Sequence, residues 1–170
     1  MAYPIVNIDR MHGTDNMADL RSAKYGSFSG NPSVFTGAGI NNGCIVVLNG
    51  MIDHEMYYAI APASTNVFED LYLVASPEFL PNPLQQSLDC FTNEANAPIR
   101  LFKLQNGDVF SITADGVSGS NFAVGDEIYF QNGDAQLKQS SGVAQIGSIV
   151  AIESKGGKSW LVIEVKYVAE

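Results

Sequence analysis

The chain has 170 residues, with 9 Lys and Arg against 18 Asp and Glu, giving a formal net charge of −9. An acidic surface repels phosphate backbones, which argues against a general nucleic-acid binder. Hydrophobic residues make up 46% and charged residues only 16%, so a chain of this size can bury a core without staples while its surface leans on Asn, Ser, Thr, Gln and Gly.

The N-terminal residues Met1 to Arg10 show no basic stretch followed by an apolar one, which predicts no secretory signal. No apolar run approaches the length of a membrane span. Cys44 and Cys90 are two isolated thiols. They fit buried small hydrophobes in a reducing compartment, and a disulfide between them stays open. These features predict a soluble protein made in a cytosol, without a membrane or nucleic-acid partner.

Residues 1–33 read as an N-terminal arm. Ile5, Val6 and Ile8 open it, a polar stretch with balanced charge follows, and Tyr25 to Pro32 has no period. Asp15 is placed to cap a short helix through Lys24, with Met17 and Leu20 on one side. That face is too thin to hold a helix alone. Two readings are open: an arm that orders on a neighbour, or a segment lying back on its own domain.

From residue 34 to 170 the signals are those of a β domain, with a possible subdivision near 92–98. Cys44 to Leu48 is apolar on both faces, as in a fully buried strand, and Asn49-Gly50 reads as a turn. Strands are expected over Tyr57–Ala61 and Leu71–Ala75, and one or two helical turns over Leu84–Phe91. Ile99–Leu104 and Val109–Ala114 flank Gln105-Asn106-Gly107-Asp108, which predicts a hairpin, since Asn-Gly between apolar runs is a strong hairpin signal. The stretch from Val124 onward reads as a β-meander with turns at Asn132-Gly133-Asp134 and Gly156-Gly157. Ala144, Ile146, Ser148, Val150 and Ile152 are expected on one face, with a bulge or close neighbour at Gly147. Leu161, Ile163, Val165 and Tyr167 are expected on one face of the last strand. Short strands with glycine turns predict an all-β fold, a small barrel or sandwich with an extended N-terminal arm.

Catalytic signatures are lacking. Asp53-His54-Glu55 is the one acid–base or metal-like cluster, but successive strand residues point to opposite faces, and further ligands are needed. The chain contains no Gly-x-Ser-x-Gly elbow, P-loop or Gly-x-Gly-x-x-Gly. Acids beside glycines (Asp108, Asp115, Asp126, Asp134) are what tight turns require. Between Lys24 and Arg100 there is no Lys or Arg but there are seven acids, Asp53, Glu55, Glu69, Asp70, Glu78, Asp89 and Glu94, read as a solvated acidic surface or a patch for a basic partner. Tyr57, Tyr58, Phe68, Tyr72 and Trp160 are candidates for stacking on sugars.

One resemblance covers residues 98–168 well and 38–50 loosely. Arg100-Leu-Phe-Lys-Leu-Gln-Asn-Gly-Asp-Val-Phe, then Val124-Gly-Asp-Glu-Ile-Tyr-Phe, Ser141-Gly-Val-Ala-Gln-Ile-Gly-Ser-Ile and Trp160-Leu-Val-Ile-Glu-Val follow in an order that resembles the capsid decoration, or cement, proteins of tailed bacteriophages. The resemblance implies a non-enzymatic virion protein, made in the host bacterial cytoplasm and located on the capsid surface. It implies no cofactor, a major capsid protein as partner, and a homo-oligomer, a trimer being favoured. Such a protein stabilises the shell by repeated weak contacts at symmetric junctions. The expected contact region is the arm: Ile5, Val6, Ile8, Arg10, Met17, Leu20, Arg21, Tyr25 and Phe28, together with loops between Gly37 and Pro98. The alternative is a carbohydrate-binding or adhesin-like β module of a phage or bacterial surface.

Overall fold

Twelve strands form two sheets in a computed structural model that describes residues 19–28, 34–52, 56–78 and 91–167. The first half of the chain supplies β1 (Leu20–Phe28), β2 (Phe35–Gly37), β3 (Ile45–Ile52), β4 (Met56–Ile60), β5 (Leu71–Val74) and β6 (Ile99–Lys103). The second half supplies β7 (Val109–Thr113), β8 (Val117–Ser118), β9 (Glu127–Gln131), β10 (Asp134–Gln139), β11 (Gln145–Lys155) and β12 (Lys158–Val165). The fold is all-β, as the turn-rich sequence predicts.

The first sheet closes on itself. Its order is β2-β1-β4-β3-β5-β6, and β1 also pairs with β6, so that β1, β4, β3, β5 and β6 form a closed five-stranded barrel with β2 attached to β1. A closed ring with an odd number of strands cannot be antiparallel throughout. The one parallel pair is β1 with β4, through Ala23↔Tyr57, Lys24↔Tyr58 and Tyr25↔Ala59. The second sheet, β7-β12-β11-β9-β10-β8, curls as a half-barrel.

Strand alternation divides the apolar residues between two cores. Ala23, Val46, Ala59, Tyr72, Val74, Ile99 and Leu101 come from all five barrel strands and fill its interior. The opposite faces of β3 and β5, carrying Ile45, Val47, Leu71 and Leu73, pack against Phe110, Ile112, Ile128, Ile146, Leu161 and Ile163 of the second sheet. β3 and β5 are therefore walls shared by two cores. That is why Ile45, Val46 and Val47 are apolar in unbroken sequence and all buried.

The structure corrects several local expectations. Residues 20–28 take the second of the two readings open for the arm, lying back on their own domain, but as the strand that closes the barrel and not as a helix through Lys24. Asn49-Gly50 is not where the chain reverses. It is a bulge within β3, lying between Leu48↔Ala59 and Met51↔Tyr57. The expected hairpin at Asn106-Gly107 is absent, because β6 pairs with β1 and β5 while β7 pairs with β12. The turn is a corner where the chain leaves the barrel for the second sheet. Gly107 N–H bonds the carbonyl of Val165 at 2.9 Å, and Tyr167 N–H bonds Asn106 Oδ1 at 2.6 Å. The three strands of the expected meander, β9, β11 and β12, are antiparallel neighbours in that order, but the chain between β9 and β11 adds an unexpected strand, β10, on the other edge of β9. The helical turns expected near Leu84–Phe91 fall almost wholly outside the described residues.

Two other expectations hold. Gly156 and Gly157 both take positive φ, 62° and 74°, in the two-residue turn joining β11 to β12, the geometry a type I′ hairpin needs. Leu161, Ile163 and Val165 are buried on one face of β12. On β11 the strict alternation fails, because register shifts lie between Gln145 and Gly147 and between Ile149 and Ala151. The phase slips, Ile146 and Ile149 turn inward, and Val150 is left 41% exposed.

Gly147 occupies the close approach expected of it. A Cβ there would lie 2.1 Å from the carbonyl oxygen of Glu164. A Cβ at Gly156 meets open space and incurs only the positive-φ cost, about 1–2 kcal/mol. We expect Gly147→Ala to cost at least the ~1–3 kcal/mol typical of overpacking and to exceed Gly156→Ala. Urea unfolding of both variants measures this, and the reverse order would contradict the packing of β11 on β12.

Candidate functional site

Strand directions define two ends of the barrel. The first gathers the start of β1, the end of β3, the start of β4, the start of β5 and the end of β6. The second gathers their opposite termini.

The second end is stitched by buried amides. Asn42 Nδ2 donates to the Ser76 carbonyl at 2.9 Å, and Asn42 Oδ1 accepts from Ser76 N–H at 3.0 Å and from Asn93 Nδ2 at 3.1 Å. Ser76 Oγ in turn accepts from Arg100 N–H at 3.0 Å. Among the described residues no buried side-chain polar atom is left without a partner. These bonds tie the lead-in to β3, the exit of β5 and the start of β6 into one plug. They satisfy backbone groups that a barrel end would otherwise leave buried and unpaired.

The same end holds Cys44, beside Tyr25. Burial is the main reason the Cys44 thiol is pushed up to about 12, with Asp134 adding to it and a bond from Asn41 opposing it. Burial likewise raises the Tyr25 phenol, with smaller contributions from Cys44 and Asp134. Tyr25, expected in the contact region, is thus turned toward the barrel core, where it packs against Ala23 and its neighbours. Cys90 lies outside the described residues.

The first end is more open. Asp19 is buried and accepts a hydrogen bond from Gln105 Nε2, fastening the entry of β1 to the corner turn. Leu20 follows with 37% of its surface exposed. Arg21 donates to the Leu20 carbonyl at 2.9 Å. Its charge reaches Tyr72, where it opposes the upward shift that burial imposes on that phenol. Topology brings two more apolar side chains to this end. Met51, beyond the β3 bulge, and Val67, before the short 3-10 turn Phe68–Asp70, are 49% and 51% exposed. Glu69 and Asp70 are exposed beside Val67.

The expected contact residues therefore separate. Ile5, Val6, Ile8, Arg10 and Met17 lie outside the described residues, as do Asp53, His54 and Glu55. Leu20 and Arg21 stand together at the first end. Phe28 sits roughly 26 Å along β1 from Leu20, taking 3.3 Å per residue, and packs with Phe35 and Tyr58 at centroid distances of 5.4 and 5.1 Å. Met51 and Val67 were not singled out by sequence. The only available signal was their position beside strand ends, and single apolar residues there are common.

The aromatic candidates do not share a face. Tyr72 lies in the barrel interior with Tyr57 against the same cluster, and Phe68 is buried between the sheets, stacked on Tyr167 at 4.9 Å. Tyr58 meets Phe28 and Phe35 at 79° and 45°, not coplanar. Trp160 is partly buried, with its indole N–H on the Lys155 carbonyl at 3.2 Å. The seven acids are divided as well: Glu69 and Asp70 are at the first end, Glu78 is near Asn42 at the second, Glu94 is exposed directly after Asn93, and Asp53, Glu55 and Asp89 lie outside the described residues. Burial raises the Glu78 carboxyl, with the Asn42 bond opposing it. Among the described residues no group of three His, Cys, Asp or Glu is placed to hold a metal ion.

The Cys44 shift has a measurable consequence. Above its ordinary value of 9.0 the unfolded chain gives up the thiol proton, while the folded chain keeps it to about 12. Folding stability from this group is therefore full below 9 and falls as pH rises through that window. We expect wild type to lose more stability than Cys44→Ala between pH 9 and 11 in urea unfolding, and equal slopes would contradict a protected thiol.

Comparison with known proteins adds no family to this geometry: no protein-family model matches the chain, and no curated protein matches it in sequence.

Proposed function

We propose that the protein is a decoration, or cement, protein that binds the outer surface of a tailed-phage capsid and stabilises the shell by association rather than by chemistry. The reading rests on the order of sequence motifs between residues 98 and 168, and one structural observation supports it most. The strand that follows the N-terminal segment is held along both edges by the barrel, so residues before Asp19 issue from a fixed, partly apolar end carrying Leu20, Met51 and Val67. A rigid body presenting a tethered segment suits a protein whose task is to bridge neighbours. The rigid part lowers the ordering cost of binding. The major capsid protein is the partner, and the protein acts as a homo-oligomer, with a trimer matching local three-fold junctions of a shell. Repetition around such a junction turns modest single contacts into firm attachment.

The test is co-sedimentation of purified protein with emptied phage heads. A deletion has to stop at residue 18, because removing β1 would open the barrel. We expect deletion of residues 1–18, and separately Leu20→Asp with Met51→Asp, to weaken binding about tenfold or more, the scale of an interface hot spot, while the β-sheet circular dichroism signal and the number of protomers per particle stay unchanged. Full binding by both variants would overturn this assignment of the contact surface, and no binding by wild type would overturn the decoration reading itself.

A further inference from the structure

The sequence contains four Asn-Gly pairs: Asn42-Gly43, Asn49-Gly50, Asn106-Gly107 and Asn132-Gly133. This dipeptide is the one most prone to spontaneous deamidation, since glycine offers no side chain to hinder attack by its own nitrogen on the preceding carboxamide. The reaction needs two freedoms. The carboxamide has to swing back onto the chain, and the glycine nitrogen has to be released from its hydrogen bond. The fold withholds both from three of the four pairs.

Asn42 is buried, with Oδ1 and Nδ2 both bonded, and Gly43 N–H donates to the Val74 carbonyl at 2.8 Å. Asn106 and Asn132 are exposed, so exposure alone would not protect them. Yet Asn106 Oδ1 accepts from Tyr167 N–H at 2.6 Å, and Gly107 N–H donates to Val165 at 2.9 Å. Asn132 Oδ1 accepts from Ser64 N–H at 3.1 Å, and Gly133 N–H donates to Pro62 at 2.7 Å. In each case the turn is tied to a distant segment through both reacting groups.

Asn49-Gly50 differs. Both residues are exposed, and they face Tyr58 as two residues against one in the β3 bulge, which leaves one of them outside the ladder. No hydrogen bond holds the Asn49 carboxamide among the described residues. Gly50 takes φ +80°, and among the described residues its N–H makes no backbone hydrogen bond outside the β3–β4 ladder, unlike those of Gly43, Gly107 and Gly133.

We infer that Asn49 is a site of self-modification in the folded protein, and that the other three Asn-Gly pairs are held inert by their tertiary hydrogen bonds. The Gly50 nitrogen bonds to Asn49 Cγ and gives up its proton. The Cγ–Nδ2 bond breaks, and the nitrogen leaves as ammonia. Water then opens the cyclic imide at one of its two carbonyls, leaving aspartate or isoaspartate and one new negative charge on the bulge. No enzyme, oxidant or cofactor enters the balance.

The experiment incubates the native, full-length protein in mildly alkaline buffer and follows each Asn-Gly peptide by mass spectrometry after digestion. A parallel sample is held in denaturant, and Asn49→Asp serves as the chromatographic standard for one product. We expect Asn49 to convert more than about tenfold faster than Asn42, Asn106 or Asn132 in the folded protein, because those pairs first require local opening, and all four to converge in denaturant. Conversion of Asn106 or Asn132 at a rate near that of Asn49 in the native sample would overturn the protective role of the hydrogen bonds. An Asn49 inert in the native protein but reactive in denaturant would overturn the modification site.

Discussion

The whole first half of the structure depends on β1 offering hydrogen-bonding groups along both of its edges at once. One edge meets β4 in parallel, and the other meets β6 and then β2. Without it, β4-β3-β5-β6 would be an open sheet with two unpaired edges, each a template for association with another chain. With it, the ring is complete, and Ala23 becomes a wholly buried member of the interior. The small side chain there matters, since a five-stranded barrel is narrow and its interior is already occupied by Tyr72, Leu101 and Ile99.

Closure has a second effect, on the neighbouring sheet. β3 and β5 are held in the barrel wall and so present Ile45, Val47, Leu71 and Leu73 as a fixed surface. The half-barrel packs onto that surface and needs no closure of its own. The two units are thus unequal partners: one is a complete ring, and the other is a curved sheet completed by the outside of that ring.

How much of this was legible in the sequence varies by element and for physical reasons. β12 was readable because Leu161, Ile163 and Val165 alternate without interruption against wetter neighbours. β11 carries the same kind of pattern, but two bulges shift its phase, and a bulge leaves no mark in apolar periodicity. β10 was missed, since Ala135 and Leu137 are its only apolar residues and are diluted by Gln and Lys, although both are buried. β1 was read as an arm for a similar reason. Its inward residues include Ala23 and Tyr25, but Ser22, Lys24, Gly26 and Ser27 break any obvious stripe. Asn106-Gly107 misled because turn chemistry specifies the bend and not which strands pair afterwards. Of the candidate site, Leu20 and Arg21 could be named from sequence, whereas their neighbours Met51 and Val67 are brought to that end only by the strand order.

The corner at residues 105–108 is where the two ends of the described chain are fastened. Gln105 holds Asp19 at the entry of β1, and Asn106 and Gly107 hold Tyr167 and Val165 at the exit of β12. A tension applied between those two ends therefore meets the hydrogen bonds of one corner and, directly behind them, the β1–β6 ladder that begins at Leu20. Mechanically the corner is a shackle, and the load path between the two ends is short.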